Sequence, residues 1–406
     1  MMGSHVELSD IVGQPHGGRF AALEGYRGLA AMGVLIFHTA ARTGFDQPDR
    51  FGSRVIDNLG NFSVSVFFLL SGFLLYRPFC SAAIEQSALP ARGRFLIRRF
   101  VRIYPAYWVV LIAWALTATS SQTAPSNPLA IFLLIDPYVP PIPAFSGLGV
   151  AWSLSIEIGF YLFVPVAGTA MFWLSKRIDR RRRRMTAQLV LLATMYLTAM
   201  FVRYASYTWG SPIWASRWLP SYLDWFALGM LLALAVAWTD GMGRIPQAMQ
   251  RFADSVGVCF ACAAVAYLSI VAFTGESLGL EARRSTEGAL VRAFFQGMAA
   301  FFVLLPAVVG RNRDHPLFRA LRRPVLASLG VISYGVYLWH QTVLAQMESW
   351  WSIGIGFWPF VTSTVVAGVL TVVIATLSYR LIETPAMELG RGEQAATTPR
   401  SVPLVS

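Results

Sequence analysis

In the run LEGYRGLAAMGVLIFHTA, Leu23 to Ala40, an arginine and a histidine stand eleven residues apart in otherwise apolar sequence. A histidine titrates near neutral pH and can take the proton from a hydroxyl as general base. An arginine offers a planar fork of donors that fits a phosphate. Both chemistries recur along the chain. Glu157 lies in WSLSIEIGFYLF, His340 in SYGVYLWHQ and Asp224 in SYLDWFALG. Arg98, Arg99 and Arg102 crowd RRFVRIYPAYW, and Arg99 and Arg102, three apart, share one face of a helix. A base with a carboxylate partner would serve proton transfer, and the arginine face would serve a phosphorylated ligand.

The elements that must hold these groups are membrane helices. Apolar residues make up 55% of the 406 and charged ones 13%, too few charges to cover a soluble protein of this length. Apolar runs of about 20 residues recur, each long enough for a hydrocarbon core of roughly 30 Å. The spacing predicts an all-α, polytopic bundle of about ten spans, near 26–43, 59–79, 103–120, 149–174, 187–207, 219–239, 252–273, 289–309, 325–347 and 358–382. The run NPLAIFLLID (127–136) is too short to cross and is bounded by prolines. Residues 121–148 therefore read as a non-spanning or re-entrant loop, which is tolerated at membrane depth only against protein or a wet cavity. Segments 1–22 and 387–406 read as flexible cytoplasmic tails around a membrane domain of 23–386. The first tail lacks a basic n-region, an apolar h-region and a cleavage site, so the first span is expected to stay.

Charge orients the bundle. The net charge of +12 reads as topology, not nucleic-acid binding, because no soluble domain is left to host the latter. RGRFLIRRFVR (92–102), KRIDRRRRR (176–184) and RNRDHPLFRALRR (311–323) all fall in the cytoplasm if the N-terminus is inside and ten spans cross. The expected outer loops FDQPDR (45–50) and EARRSTE (281–287) mix both signs. Both termini are then cytoplasmic. Cys80, Cys259 and Cys262 form no disulfide framework, and the C-x-x-C of the last two reads as helix packing. No metal site is expected.

Depth follows from the helical rise. His38 comes out ~16 Å beyond Arg27, and Glu157 ~12 Å below the outer end of its span, which puts them at one height within a turn. His340 comes out ~22 Å from its cytoplasmic end, and Asp224 about two turns below its outer end. Ionisable groups at such depth face a bundle interior or a water-filled cavity, so an internal polar chamber is expected in the outer half. For Asp224 with Arg203 a plain interhelical hydrogen bond stands as an equal reading, and for His340 it is preferred to catalysis. Arg98 suits either a ligand or lipid head groups, and the run Arg180 to Arg184 reads as topological. Ser71 and Gly72 in FFLLSGFLL let another helix, or a thin ligand chain, come close.

Taken in order, YRGLAAMGVLIFH, FFLLSGF, RRFVRIYPAYW, WSLSIEIGFYLF, SYGVYLWH and SYRLIETP resemble the motifs of bacterial acyltransferase family 3 over nearly the whole chain. That family O-acylates envelope saccharides, glycolipids, nodulation factors and some macrolides. The resemblance implies that Arg27 and His38 are needed for transfer and that Arg99 and Arg102 serve the acyl-CoA donor. No stretch reads as an appended periplasmic hydrolase-like domain, so acceptor binding is expected from the membrane domain and its loops.

Residues and resemblance combine into one expectation for an enzyme of the bacterial cytoplasmic membrane. Acyl-CoA, acetyl-CoA foremost, binds from the cytoplasm on Arg27, Arg99 and Arg102, its arm passing Ser71 and Gly72. His38 is the general base for a saccharide or glycolipid hydroxyl arriving from the outer side. Glu157 orients His38 or holds the sugar. Tyr161, Asp224, Tyr334 and His340 bind the acceptor or support the site. Two rivals remain: a transporter with a buried His/Glu proton relay, and an acyltransferase whose acceptor is cytosolic, such as a macrolide.

Overall fold

The computed structural model describes residues 20–46, 51–117, 127–139, 148–209, 217–242, 245–273, 286–350 and 353–396. Most of the first tail, half of the second, the end of the third expected span, much of PYVPPIPAFSGLG and most of the expected outer loops lie outside the described residues. Every regular element described is a helix. They run in the order α1 (Ala22–Arg42), α2 (Phe51–Glu85), α3 (Arg92–Thr117), α4 (Pro128–Phe132), α5 (Ala151–Lys176), α6 (Arg181–Thr208), α7 (Leu223–Met242), α8 (Gln247–Asp254), α9 (Val256–Phe273), α10 (Thr286–Val308), α11 (Pro316–Leu321), α12 (Pro324–Val331), α13 (Ser333–Trp350), α14 (Phe357–Ser378) and α15 (Thr384–Ala396). A π-helical turn, Tyr379–Glu383, joins the last two, and 3-10 turns cover Asp136–Tyr138 and Leu219–Tyr222.

Eight helices among the described residues are long and apolar enough to cross a bilayer. The two other expected spans are present as helices but fall short for different reasons. α1 carries Glu24, Arg27, His38 and Arg42, which lower its apolarity, although its 21 residues reach ~31 Å. The 325–347 span is broken at Ile332 into α12 and α13.

The long helix α2 is the hub, packing on α1, α5, α7 and α10. Its crossing with α7 is close because each helix offers a glycine. A Cβ on Gly72 would overlap the Phe226 carbonyl, and one on Gly229 would overlap that of Leu69. Gly72 therefore admits a helix backbone and not a ligand chain. The pairing of α1 with α2 is antiparallel, with Gly33 against Ser63 and Phe37 against Gly60. Continued toward the start of α1, that register brings Ser71 level with Arg27.

The non-spanning segment is held by its backbone. Asn127 caps α4 by accepting from Ala130 N at 3.0 Å, and Pro128 occupies a first-turn position where its missing N–H costs nothing. The carbonyls of Ile131, Phe132 and Leu133, at the end of this short helix, accept from side chains of α3, that of Ile131 in addition to the Leu134 N–H at 3.0 Å. Tyr107 donates at 2.7 Å, Trp108 at 3.0 Å and Tyr104 at 3.0 Å. The segment thus lies beside the middle of α3, ~14–20 Å back from Thr117.

Two differences from the sequence reading concern helix ends. Arg181 pairs with Glu85, and Arg184 donates to the Ile84 carbonyl at 3.1 Å, so this basic run also fastens the end of α2. The chain does not turn into a loose tail at 387. Pro385 sits in the first turn of α15, where proline is tolerated, and α15 packs against α3.

Candidate active site

Helices α1, α2, α3, α5 and α13 enclose a cavity of about 780 Å3, its open mouth included. α1 contributes Arg27, α2 Ser71 and Phe67, and α3 Arg99 and Arg102. α5 contributes Ser153, Glu157 and Tyr161, and α13 Ser333, Tyr334 and Tyr337. Arg99 and Arg102 share a face of α3 that lines the cavity together with Arg27. Three guanidiniums against one carboxylate make the lining attractive to an anion.

Glu157 is held by two hydroxyls on one oxygen. Ser71 Oγ donates to its Oε1 at 2.9 Å and Tyr161 OH at 2.7 Å, Tyr161 being one turn along the same helix. Glu157 and Tyr161 both lie within electrostatic reach of Arg27 and Arg99. Arg27 Nε donates to Ser333 Oγ at 3.4 Å and faces Glu24 at 4.0 Å. The buried Nε of Arg99 makes no hydrogen bond among the described residues. Tyr334 OH donates to the Ile103 carbonyl at 2.7 Å, tying α13 to α3 behind the arginines.

At the other end of the cavity Tyr337 OH shares a hydrogen bond with Ser153 Oγ at 2.6 Å and donates to the Val150 carbonyl at 3.2 Å. Phe67 meets the Tyr337 ring edge-on, centroids 5.9 Å apart. One turn further along α13 stands His340, its ring 6.0 Å from that of Tyr337. His340 Nε2 lies 3.2 Å from His38 Nδ1. Arg42 holds the same two helices together beyond the histidines, pairing with Glu348 and donating to Gln341 at 3.2 Å.

The structure therefore brings Arg27, Ser71, Arg99, Arg102, Glu157, Tyr161 and Tyr334 into one cavity and leaves out four expected residues. Gly72 is consumed by the contact with α7. Asp224 accepts from Arg203 at 3.1 and 3.3 Å, an interhelical ion pair between α6 and α7. His38 and His340 pair with each other beyond Tyr337. Glu157 is not beside His38. The α1–α2 register puts its partner Ser71 level with Arg27, so Glu157 belongs to the arginine end. Ser153, Ser333 and Tyr337 were not singled out from sequence. Small hydroxyls are routine in membrane helices, and only the SYGVYLWH motif hinted at the last two.

The acyltransferase-domain family model matches residues 20–380. The chain belongs to acyltransferase family 3. It is 28% identical to acyltransferase MdmB of Streptomyces mycarofaciens, over 94% of this chain and 95% of that one. It is 27% identical to the putative membrane-bound transacylase BcsY of Komagataeibacter xylinus, over 94% and 87%. The peptidoglycan O-acetyltransferase OatA of Listeria monocytogenes is 24% identical over 91% of this chain, which spans only 56% of OatA. No solved structure matches. The protein is thus a multi-pass membrane acyltransferase, and the transporter reading falls.

Proposed function

We propose that the protein O-acylates a saccharide or glycolipid of the cell envelope, taking the acyl group, acetyl foremost, from acyl-CoA on the cytoplasmic side. One observation carries this reading: three guanidiniums gather at one end of a cavity, and His38 lies ~16 Å further along the very helix that bears Arg27. Arg27, Arg99 and Arg102 bind the phosphates of the donor. Its pantetheine arm, long enough for that separation, runs past Ser71 toward Tyr337. Glu157, buttressed by Ser71 and Tyr161, keeps Arg27 and Arg99 in place. This replaces its expected role beside the base.

At the histidine end the acceptor hydroxyl gives its proton to His38. The oxygen attacks the thioester carbonyl carbon, the C–S bond breaks, and the departing CoA thiolate takes the proton from His38. The new ester stays on the acceptor. The similarity to a peptidoglycan O-acetyltransferase supports a saccharide hydroxyl as acceptor. The basic clusters support an orientation with the arginine end in the cytoplasm.

Mass spectrometry of envelope glycolipids and polysaccharides from a deletion strain tests the reading. One acyl ester should be lost, restored by the wild-type gene and not by His38→Ala. An unchanged envelope profile would contradict it.

A further inference from the structure

We infer that His340 is a positioning residue that fixes His38 in a single tautomer with Nε2 as its basic nitrogen. The inference rests on the reading of His38 as the base and names the nitrogen that does the work. Two backbone carbonyls set the tautomers of the pair. His38 Nδ1 lies 3.0 Å from the Val34 carbonyl and His340 Nδ1 lies 3.2 Å from that of Val336, each four residues back on its own helix. A carbonyl oxygen can only accept, so both Nδ1 atoms carry the proton. A neutral imidazole has one such proton, which leaves both Nε2 atoms as bare lone pairs.

The contact between the rings then has one direction. His38 Nδ1–H, shared between Val34 O and the neighbouring ring, donates to His340 Nε2 at 3.2 Å. His340 is fully buried and held on its far side by Val336, so its ring offers a fixed acceptor. His38 is half-buried, and its Nε2 is the one nitrogen of the pair that no protein group engages among the described residues.

This pairing uses the logic of the serine-hydrolase triad, in which a third group holds the imidazole in the correct tautomer and stabilises the imidazolium. Here the third group is neutral. A carboxylate in its place would itself need stabilising in a low-dielectric interior. When His38 Nε2 takes the hydroxyl proton, the ring becomes cationic and its Nδ1–H bond to His340 becomes charge-assisted, hence stronger. His340 thus acts through His38 without touching the reacting atoms.

The test needs no knowledge of the natural acceptor for its first arm. 15N spectra of protein labelled at the histidine ring nitrogens, assigned by comparison with His38→Asn, should show His38 bare at Nε2 in the wild type. His340→Leu removes the acceptor and should mix the tautomers. In the second arm, acetyl-CoA is the donor probe, deletion-strain membranes supply acceptor, and released thiol is read. His340→Leu should lower kcat about 10- to 100-fold at an unchanged KM for acetyl-CoA. His340→Gln, whose side-chain carbonyl can accept from Nδ1–H, should recover most of that loss, which a merely structural role would not give. Wild-type His38 protonated at Nε2 would overturn the inference even if His340→Leu failed to fold. So would an unchanged spectrum and kcat in a folded His340→Leu. Undiminished transfer by His38→Ala would instead remove the base itself, leaving the tautomer result standing.

Discussion

Removing the carboxylate of Asp224 separates a structural from an acceptor-binding role for that residue. Asp224 and Arg203 retain 1% and 8% of their side-chain exposure, with two nitrogen–oxygen distances of 3.1 and 3.3 Å. Arg203 also donates to the Ser221 carbonyl. After Asp224→Ala that carbonyl and the Met200 sulfur, at 3.9 Å, are the guanidinium's remaining hydrogen-bond partners among the described residues. An uncompensated buried charge of this kind costs about 3–5 kcal/mol. Asp224→Asn keeps an oxygen on the guanidinium and should cost less. Replacing both residues together, Arg203→Met with Asp224→Leu, removes the stranded charge and should be milder than Asp224→Ala alone. Thermal unfolding in detergent measures the three variants, and turnover of acetyl-CoA is read well below the transition. Arg203 lines a second cavity together with Tyr222, Trp225 and Gln296. Asp224→Ala with a wild-type unfolding midpoint and lost turnover would place Asp224 in substrate binding and refute the ion-pair reasoning.

Other expectations follow from single contacts. Gly229→Ala should lower stability by about 1–3 kcal/mol, read as a lower unfolding midpoint, because the new methyl overlaps the Leu69 carbonyl where α7 crosses α2. Tyr107→Phe removes one of two donors to the buried Ile131 carbonyl, leaving the Leu134 N–H at 3.0 Å, and should cost about 0.5–1.5 kcal/mol; a cysteine placed at Ala130 should then label faster. Glu157→Gln should change the KM for acetyl-CoA while the pH dependence of kcat stays where His38 sets it. A shifted pH profile would return Glu157 to the base.

Helical rise separates Arg27 from His38 along α1, but heights counted on different spans do not set which residues stand level with one another. Arg27, Arg99 and Arg102 were legible as a group because Arg27 opens the first apolar run and the other two, three apart, lie in the basic cluster RRFVRIYPAYW. α4 was legible because Asn127, Pro128 and Pro137 punctuate a run too short to cross. What the rise does not give is which helix faces which. Glu157 was set beside His38 by counting from the ends of different spans, each end uncertain by a turn. The Gly33–Ser63 and Phe37–Gly60 contacts fix the register instead and move Glu157 to the arginines. The pairing of His340 with His38 depends on α13 lying against α1, which no local pattern encodes. Gly72 was ambiguous for the same reason: a small residue admits whatever is next to it, and here that is Phe226.

The central claim is that donor binding and proton removal occupy opposite ends of one helix. An acetyl-CoA titration of binding and initial transfer rate, run on matched preparations, tests it most directly. His38→Ala should bind acetyl-CoA like the wild type and transfer at least ~100-fold more slowly, the usual scale for loss of a general base. Arg99→Ala with Arg102→Ala should weaken donor binding at least about tenfold while bound donor still reacts. Wild-type binding by the double arginine variant, or undiminished transfer by His38→Ala, would contradict the claim.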